Sequence, residues 1–192
     1  KVALVTGGSR GIGNAIALDL LKKGYYVGIG YHKNKALAHE IAEKNSQAMP
    51  LKIDVSSVES IQKAFNEIEN NFGTIDVLVN NAGISQVKAF ELLQDEDWQT
   101  MWETNFMSAV RCIKLALPAM IEKGGGRIIN IASIGGQWGG IHQIHYAASK
   151  AALINLTKSI AKSYSKAFED LEGVETIKQP NNCRSNNWLV SI

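Results

Sequence analysis

Short apolar runs alternate with segments of helical periodicity along most of this chain, and the alternation repeats five times. The runs "VLVN" and "IINI" are apolar at successive residues, which is typical of strands buried on both faces of a sheet. Strands separated by helices pair in parallel through right-handed crossovers, with helices on both faces of an open sheet. The alternation therefore predicts an α/β fold with a doubly wound parallel sheet.

The individual elements follow from the apolar runs, the helical spacing and the glycines that end helices. Strands are predicted at residues 2–6, 25–31, 48–55, 75–83 and 126–133. Helices are predicted at residues 12–24, 33–45, 58–73 and 145–168, and residues 95–123 form one long helix or two consecutive ones. The rhythm is lost over residues 167–192, where one weak strand is predicted at 173–177. We expect a single domain over residues 1–192, with an atypical or incomplete C-terminal end.

The composition argues against several classes of function. A net charge of +2 is too small to indicate nucleic acid or an anionic membrane as a partner, and no apolar run reaches the roughly 18 residues of a spanning helix. Cys112 and Cys183 form neither a CxxC pair nor a zinc pattern, so no metal site is predicted. Free thiols are typical of a reducing compartment, and a soluble cytoplasmic protein is expected.

A glycine-rich segment, "TGGSRGIG" at residues 6–13, joins the first predicted strand to the first helix. Gly7, Gly11 and Gly13 allow positive φ and let the backbone approach a ligand closely. The amides at the start of the following helix favour a pyrophosphate, and the turn lies at the carboxyl end of a strand, where ligands bind in such sheets. The spacing differs from G-x-G-x-x-G, so a tight turn without a ligand is the alternative.

The end of the second predicted strand bears on which dinucleotide would bind. A carboxylate at this place would accept hydrogen bonds from the ribose of NAD, but the sequence reads "GYHKN". Lys33 stands here, and Arg10 lies in the glycine turn. Two basic groups favour a 2′-phosphate, and therefore NADP(H), over the alternative that both are solvated surface charges.

Tyr146 and Lys150 are four residues apart in a predicted helix and so share one face. A free tyrosine has a pKa of about 10 and is a poor acid at neutral pH, but a nearby cation lowers the pKa of a phenol. Ser133 ends the fifth predicted strand, which places its hydroxyl toward the same cleft as the glycine turn. The pair alone is more typical of two surface polar residues than of a catalytic pair. The combination with the turn and the serine favours carbonyl chemistry.

Together these segments resemble the short-chain dehydrogenase/reductase family, most of all its 3-oxoacyl-[acyl-carrier-protein] reductases and acetoacetyl-CoA reductases. The resemblance covers about residues 1–163. It is carried by "TGGSRGIG" (the cofactor loop), "NNAG" at 80–83, "YAASK" at 146–150 with Ser133 13 residues before Tyr146, "WETNFMSAV" at 102–110 and "IDVSS" at 53–57.

The resemblance implies a Rossmann-like fold and hydride transfer from NADPH to a ketone. Tyr146 would donate the proton, Lys150 would lower the pKa of Tyr146 and hold the nicotinamide ribose, and Ser133 would orient the carbonyl oxygen. Asn105 would hold a water that links Lys150 to solvent. Cofactor contacts are implied for Gly7, Ser9, Arg10, Gly11, Ile12, Gly13, Lys33, Asp54, Val55, Asn81, Ala82, Gly83, Tyr146 and Lys150.

The implied substrate is a 3-oxoacyl thioester on CoA or on acyl carrier protein, as in fatty acid biosynthesis. The resemblance also implies a homo-oligomer, a dimer or a tetramer, that packs through its long helices. Trp138, His142 and His145 precede the tyrosine and are predicted to line the cleft or lie at the surface. Asn80 and Asn81 have the alternative role of satisfying backbone groups at a strand end.

The C-terminal part departs from the family. "GVETIKQPNN" at 173–182 is a distorted version of the strand that closes over the nicotinamide, and a substrate lid and a final strand are not recognisable after it. We therefore expect one open sheet edge and an incomplete lid. These departures leave a second hypothesis, an NADP-binding protein with little or no catalysis.

Overall fold

The computed structural model of the chain describes residues 1–169, and side chains as far as residue 164. The predicted strand at 173–177 lies outside the described residues. The strands are β1 (Val2–Val5), β2 (Tyr26–Tyr31), β3 (Ala48–Lys52), β4 (Val77–Asn80) and β5 (Arg127–Asn130). The helices are α1 (Gly11–Lys22), α2 (Lys35–Lys44), α3 (Val58–Phe72), α4 (Asp95–Trp102), α5 (Ser108–Glu122), α6 (Gly135–Trp138) and α7 (Ile144–Glu169), with a 3₁₀ turn at Phe90–Leu92 and a π-helical turn at Glu103–Met107.

The five strands form one parallel sheet in the order β3-β2-β1-β4-β5. The chain moves outward from β1 to β3, then crosses back to β4 on the other side of β1. This reversal creates a crevice above the carboxyl ends of β1 and β4, the place where ligands bind in open α/β sheets. The prediction of a doubly wound, Rossmann-like parallel sheet in a single domain is confirmed.

Two apolar layers hold the helices against the sheet. On one face Leu4 and Leu78 of the strands pack with Phe65 of α3 and Leu117 of α5. Partly buried residues of α7, including Leu156, pack against this layer. On the other face, residues of β1, β2 and β4 pack with α1 and α2. Because consecutive strand residues enter opposite layers, the strand centres are apolar at successive residues, as the runs in the sequence indicated.

The strands end earlier than the sequence predicted. Strands predicted at 75–83 and 126–133 stop at Asn80 and Asn130, and the one predicted at 48–55 stops at Lys52. Asn80 and Asn130 are register partners, and the Asn80 amide donates a 2.8 Å hydrogen bond to Asn130 Oδ1. The residues that follow these two asparagines leave the sheet, and they form the walls of the crevice.

The stretch predicted as one long or two consecutive helices is continuous, but it contains a π-helical turn at Glu103–Met107 between α4 and α5. Such turns widen a helix locally and redirect its side chains. The short helix α6 was not predicted.

Within residues 1–169, none of the helices is long and apolar enough to cross a membrane.

Candidate active site

The glycine turn forms a tight cradle at the end of β1. Gly7 and Gly11 have φ of +63° and +56°, the left-handed region in which other residues are strained. A Cβ at Gly13 would lie 2.3 Å from the Gly7 carbonyl oxygen, because the first turn of α1 packs directly onto the loop. Ser9 is buried beside them, and Ile12 is exposed above the start of α1. The loop therefore offers bare backbone and a helix N-terminus to a ligand.

Replacing Gly13 with alanine tests this cradle. The new methyl group would overlap the Gly7 carbonyl, so we expect a loss of about 2 kcal/mol in the free energy of unfolding and about a tenfold rise in the Kd for dinucleotide. Gly125→Ala is the matched control, since a Cβ there would meet nothing within 4 Å. Denaturant unfolding and fluorescence titration with NADPH measure the two quantities. Unchanged affinity in Gly13→Ala would show that the loop does not hold the cofactor.

Hydrogen bonds join the end of β4 to the end of β1 across the crevice. Thr6 Oγ1 accepts the backbone N–H groups of Asn81 and Ala82 at 3.0 Å each. The Asn81 side-chain amide donates to the carbonyl oxygens of Thr6 and Gly7, also at 3.0 Å. Asn81 therefore fixes the glycine turn itself, which is the backbone-satisfying role that the sequence left open for it.

The predicted phosphate-binding and adenine-binding residues lie at the outer side of the crevice. Arg10 is exposed at the N-cap of α1, and Lys33 is exposed just after β2. Hydrogen bonds from the Ser56 hydroxyl and backbone N–H hold the pKa of Asp54 below its usual range. His32 Nε2 lies 3.9 Å from Asp54 Oδ2, and Val55 packs against the core below it. Two exposed cations thus follow the ends of β1 and β2.

Tyr146 and Lys150 lie on one face of α7, as predicted. Lys150 Nζ is 5.9 Å from the centre of the Tyr146 ring and donates a 2.6 Å hydrogen bond to the carbonyl oxygen of Ile131. The lysine is 4% exposed, and burial lowers its pKa to about 8. The helical spacing alone indicates an ordinary cation at this position, whereas burial in the fold makes the charge of Lys150 costly.

Ser133 lies beside the start of α6, close to α7. Its Oγ accepts a 3.2 Å hydrogen bond from the Gly135 N–H at the start of α6. A Cβ at Gly135 would be 3.6 Å from Ser133 Oγ and 3.8 Å from Ala147, which adjoins Tyr146. Ser133 therefore lies just beyond β5, and Lys150 is bonded to Ile131 at the end of the same strand.

Asn105 lies in the π-helical turn and is 1% exposed. Its amide donates to the Ile84 carbonyl at 2.9 Å and to Ser149 Oγ at 3.2 Å, and its Oδ1 accepts from the Ile84 N–H at 2.8 Å. A Cβ at Gly83 would lie 3.0 Å from Asn105 Oδ1 and 3.7 Å from Lys150 Nζ. Asn105 and Lys150 therefore flank the same glycine, although 45 residues separate them in the sequence.

The residues before Tyr146 separate into two groups. Trp138 is 81% exposed and, with His142 and Phe90, lines an open apolar groove of about 650 Å³. His145 is buried instead, with Nε2 3.2 Å from Gln86 Oε1. Gln86 belongs to no recognisable motif and was not predicted, whereas Ser149 lies within "YAASK" but was given no role from the sequence. Across residues 1–164, no group of three or more His, Cys, Asp or Glu side chains is arranged to hold a metal ion.

Comparison with known proteins identifies similar chains over the same region. The family described as short chain dehydrogenase matches residues 1–168. The 3-oxoacyl-[acyl-carrier-protein] reductase FabG of Haemophilus influenzae is 42% identical over 163 residues, which are 84% of this chain and 67% of the relative. FabG of Staphylococcus aureus (strain N315) is 38% identical over 166 residues, 84% of this chain and 68% of the relative. Carbonyl reductase family member 4 of Xenopus laevis is 42% identical over 166 residues, 86% of this chain and 70% of the relative.

Proposed function

The chain belongs to the short chain dehydrogenase family, and on this premise we propose that it reduces a 3-oxoacyl thioester to the 3-hydroxyacyl thioester with NADPH. The observation that carries the proposal is the buried Lys150 ammonium beside the Tyr146 ring, bonded to the carbonyl of Ile131, two residues before Ser133. These groups lie on the side of the sheet where the strands have their carboxyl ends, and the glycine cradle after β1 lies on that side too. The names of the relatives from Haemophilus influenzae and Staphylococcus aureus support the substrate class.

The residues present fit a dinucleotide. The cradle leaves no room for a side chain at Gly13, and the first turn of α1 presents its amides above it. Gly7, Ser9, Gly11, Ile12 and Gly13 would hold the pyrophosphate side, and Asp54 and Val55 the adenine side. Asn81, Ala82 and Gly83 would hold the nicotinamide side together with Tyr146 and Lys150. A bound nicotinamide supplies the hydride for the reduction.

In the proposed reaction the chain positions the ketone and supplies a proton. The Ser133 hydroxyl orients the carbonyl oxygen toward Tyr146, and the Tyr146 phenol donates its proton as negative charge develops on that oxygen. The Lys150 ammonium stabilises the phenolate that results. A water held at Asn105, through which Lys150 would be reprotonated, stays a prediction, since the Asn105 amide and Oδ1 are bonded to Ile84 in this structure.

The proposed preference for NADPH rests on Arg10 and Lys33. Both are exposed near the outer end of the crevice, free to bind a 2′-phosphate by charge-assisted hydrogen bonds. We expect Arg10→Ala and Lys33→Ala each to raise KM for NADPH by about tenfold and to leave KM for NADH nearly unchanged. Lys22→Ala, an exposed lysine at the far end of α1, is the control. A wild-type enzyme that prefers NADH would contradict the assignment of both residues.

The apolar groove supports an acyl substrate. Its walls are Ala89, Phe90, Glu91, Trp138, Gly139, Gly140, Ile141, His142 and Ile144, with one charged side chain among them. The groove includes residues from the segment that leads into α7, the helix that carries Tyr146. The proposal extends to acyl carrier protein as the carrier, to fatty acid biosynthesis, and to a cytoplasmic homo-oligomer, a dimer or a tetramer.

The assay for this function combines protein, NADPH and acetoacetyl-CoA and follows the absorbance of the reduced nicotinamide. We expect NADPH consumption that matches the 3-hydroxybutyryl-CoA formed. Cofactor binding without consumption would instead favour the second hypothesis, an NADP-binding protein with little catalysis. A longer 3-oxoacyl-CoA in the same assay tests whether the groove contributes to binding.

A further inference from the structure

A buried histidine that the proposed mechanism does not use directly precedes Tyr146. His145 is 1% exposed, and its Nε2 lies 3.2 Å from Gln86 Oε1. Its ring meets the Trp98 ring edge-on, with centroids 6.0 Å apart. Because a glutamine Oε1 accepts hydrogen bonds, the hydrogen of this pair belongs to His145 Nε2. His145 therefore links the first turn of α7 by a hydrogen bond to a residue 59 positions earlier in the chain.

Gln86 lies in the segment that follows β4, residues 81–89, which we term the β4 loop. Hydrogen bonds from the Lys88 ammonium, the Gln94 N–H and the Gln86 side chain hold the pKa of Asp97 below its usual range. Asp97 belongs to the first turn of α4. Gln86 thus bonds to α7 through His145 and Lys88 bonds to α4 through Asp97, so the β4 loop is held between these two helices.

The first residues of the β4 loop lie against the proposed catalytic groups. Gly83 is packed beside Asn105 Oδ1 and Lys150 Nζ, and the backbone N–H and carbonyl of Ile84 both bond to the Asn105 side chain. Farther along, the Lys88 N–H donates a 2.9 Å hydrogen bond to the His142 carbonyl. A displacement of the loop at Gln86 would therefore move Gly83 relative to Lys150, and displacements of about 1 Å at a reacting centre cost up to about 100-fold in rate.

We propose that His145 is a positioning residue, which holds the β4 loop against α7 through Gln86 and so keeps Gly83 in place beside Lys150 and Asn105. The expected effect on kcat rests on the proposed reductase function, whereas the expected effect on the position of the β4 loop does not. His145 touches no reacting atom in this account. It acts through Gln86, and its contribution should disappear when either partner is removed.

Four variants test the pair. His145→Leu removes the donor while keeping an apolar side chain of similar size, and Gln86→Ala removes the acceptor at an exposed position that contributes little to the core. The double variant combines them. His145→Gln keeps an N–H donor close to the position of Nε2. Gln62→Ala is the matched control, because Gln62 is also exposed and bonds to Asn66 within α3, away from the β4 loop.

Two measurements follow the variants, amide hydrogen exchange of residues 83–89 and steady-state reduction of acetoacetyl-CoA. We expect His145→Leu and Gln86→Ala each to speed exchange in the loop about fivefold and to lower kcat about tenfold, with KM for NADPH within about twofold of wild type. The double variant should be no worse than the more affected single variant. His145→Gln should stay within about twofold of wild type.

If the losses of kcat in the two single variants added up in the double variant, the proposal would be overturned. It would also be overturned if Gln86→Ala matched the control Gln62→Ala in kcat and in amide exchange of the loop. If His145→Leu fails to fold, Gln86→Ala and His145→Gln carry the test without it. If wild-type protein binds NADPH but reduces no ketone, the proposed function fails, and the exchange rates still decide whether the pair holds the loop.

Discussion

Tyr146→Phe should lower kcat/KM for acetoacetyl-CoA reduction by about 1000-fold, because the substitution removes the proton that the proposed mechanism gives to the developing alkoxide. The phenylalanine ring keeps the packing of the half-buried tyrosine ring. We therefore expect the Kd for NADPH and the thermal midpoint to change little. Steady-state kinetics and fluorescence titration on the same preparation measure the rate and the affinity.

The control for this substitution is Tyr26→Phe. Tyr26 begins β2, is 42% exposed and packs against the Phe72 ring with centroids 4.9 Å apart, so its hydroxyl is remote from the site. This variant should retain full activity. If Tyr146→Phe retained more than about a tenth of the wild-type rate, another group would have to be the acid, and the proposed mechanism would be wrong.

Lys150→Met should lower kcat/KM by at least about 100-fold, because it removes the cation that stabilises the phenolate. The same substitution should change how stability depends on pH. In the folded protein burial lowers the pKa of Lys150 from 10.5 to about 8, which corresponds to about 3 kcal/mol. Between pH 8 and 10.5 the unfolded chain holds a proton that the folded protein has released, so the lysine makes wild-type stability rise with pH across this window.

Below pH 8 both states hold the proton, and the cost of burying the charge is present in full. The free energy of unfolding of wild type minus that of Lys150→Met should therefore increase by about 3 kcal/mol from pH 7 to pH 10.5. Cys112, whose pKa burial raises to about 12, is present in both proteins and cancels in the difference. Denaturant unfolding at several pH values gives the curve. A constant difference would mean that Lys150 is not buried as a charge.

The local features of the fold could be predicted from the sequence because they depend on periodicity. The order of strands and helices follows from apolar runs and helical spacing, and the parallel sheet follows from their alternation. The ends of β4 and β5 could not be predicted, because they depend on the bond between Asn80 and Asn130, 50 residues apart. The π-helical turn holds Asn105, whose side chain bonds to Ile84, 21 residues earlier, and no local pattern indicates this contact.

In the candidate site, too, some features follow from local spacing and others from long-range contacts. Tyr146 and Lys150 are four residues apart on a helix, so their common face could be read from spacing alone. The lowered pKa of Lys150 arises from burial by the tertiary fold. His145 was predicted to line the cleft or lie at the surface, yet its partner Gln86 is an exposed glutamine in a loop, which no local pattern distinguishes.

Transfer of deuterium from NADPH labelled at both C4 positions to the product of acetoacetyl-CoA reduction tests the central claim most directly. If Tyr146 and Lys150 act on a ketone held beside a nicotinamide, mass spectrometry of the 3-hydroxybutyryl-CoA should find one deuterium at C3. Protein that binds the labelled cofactor and returns acetoacetyl-CoA unchanged, or yields a product without deuterium, would contradict the account.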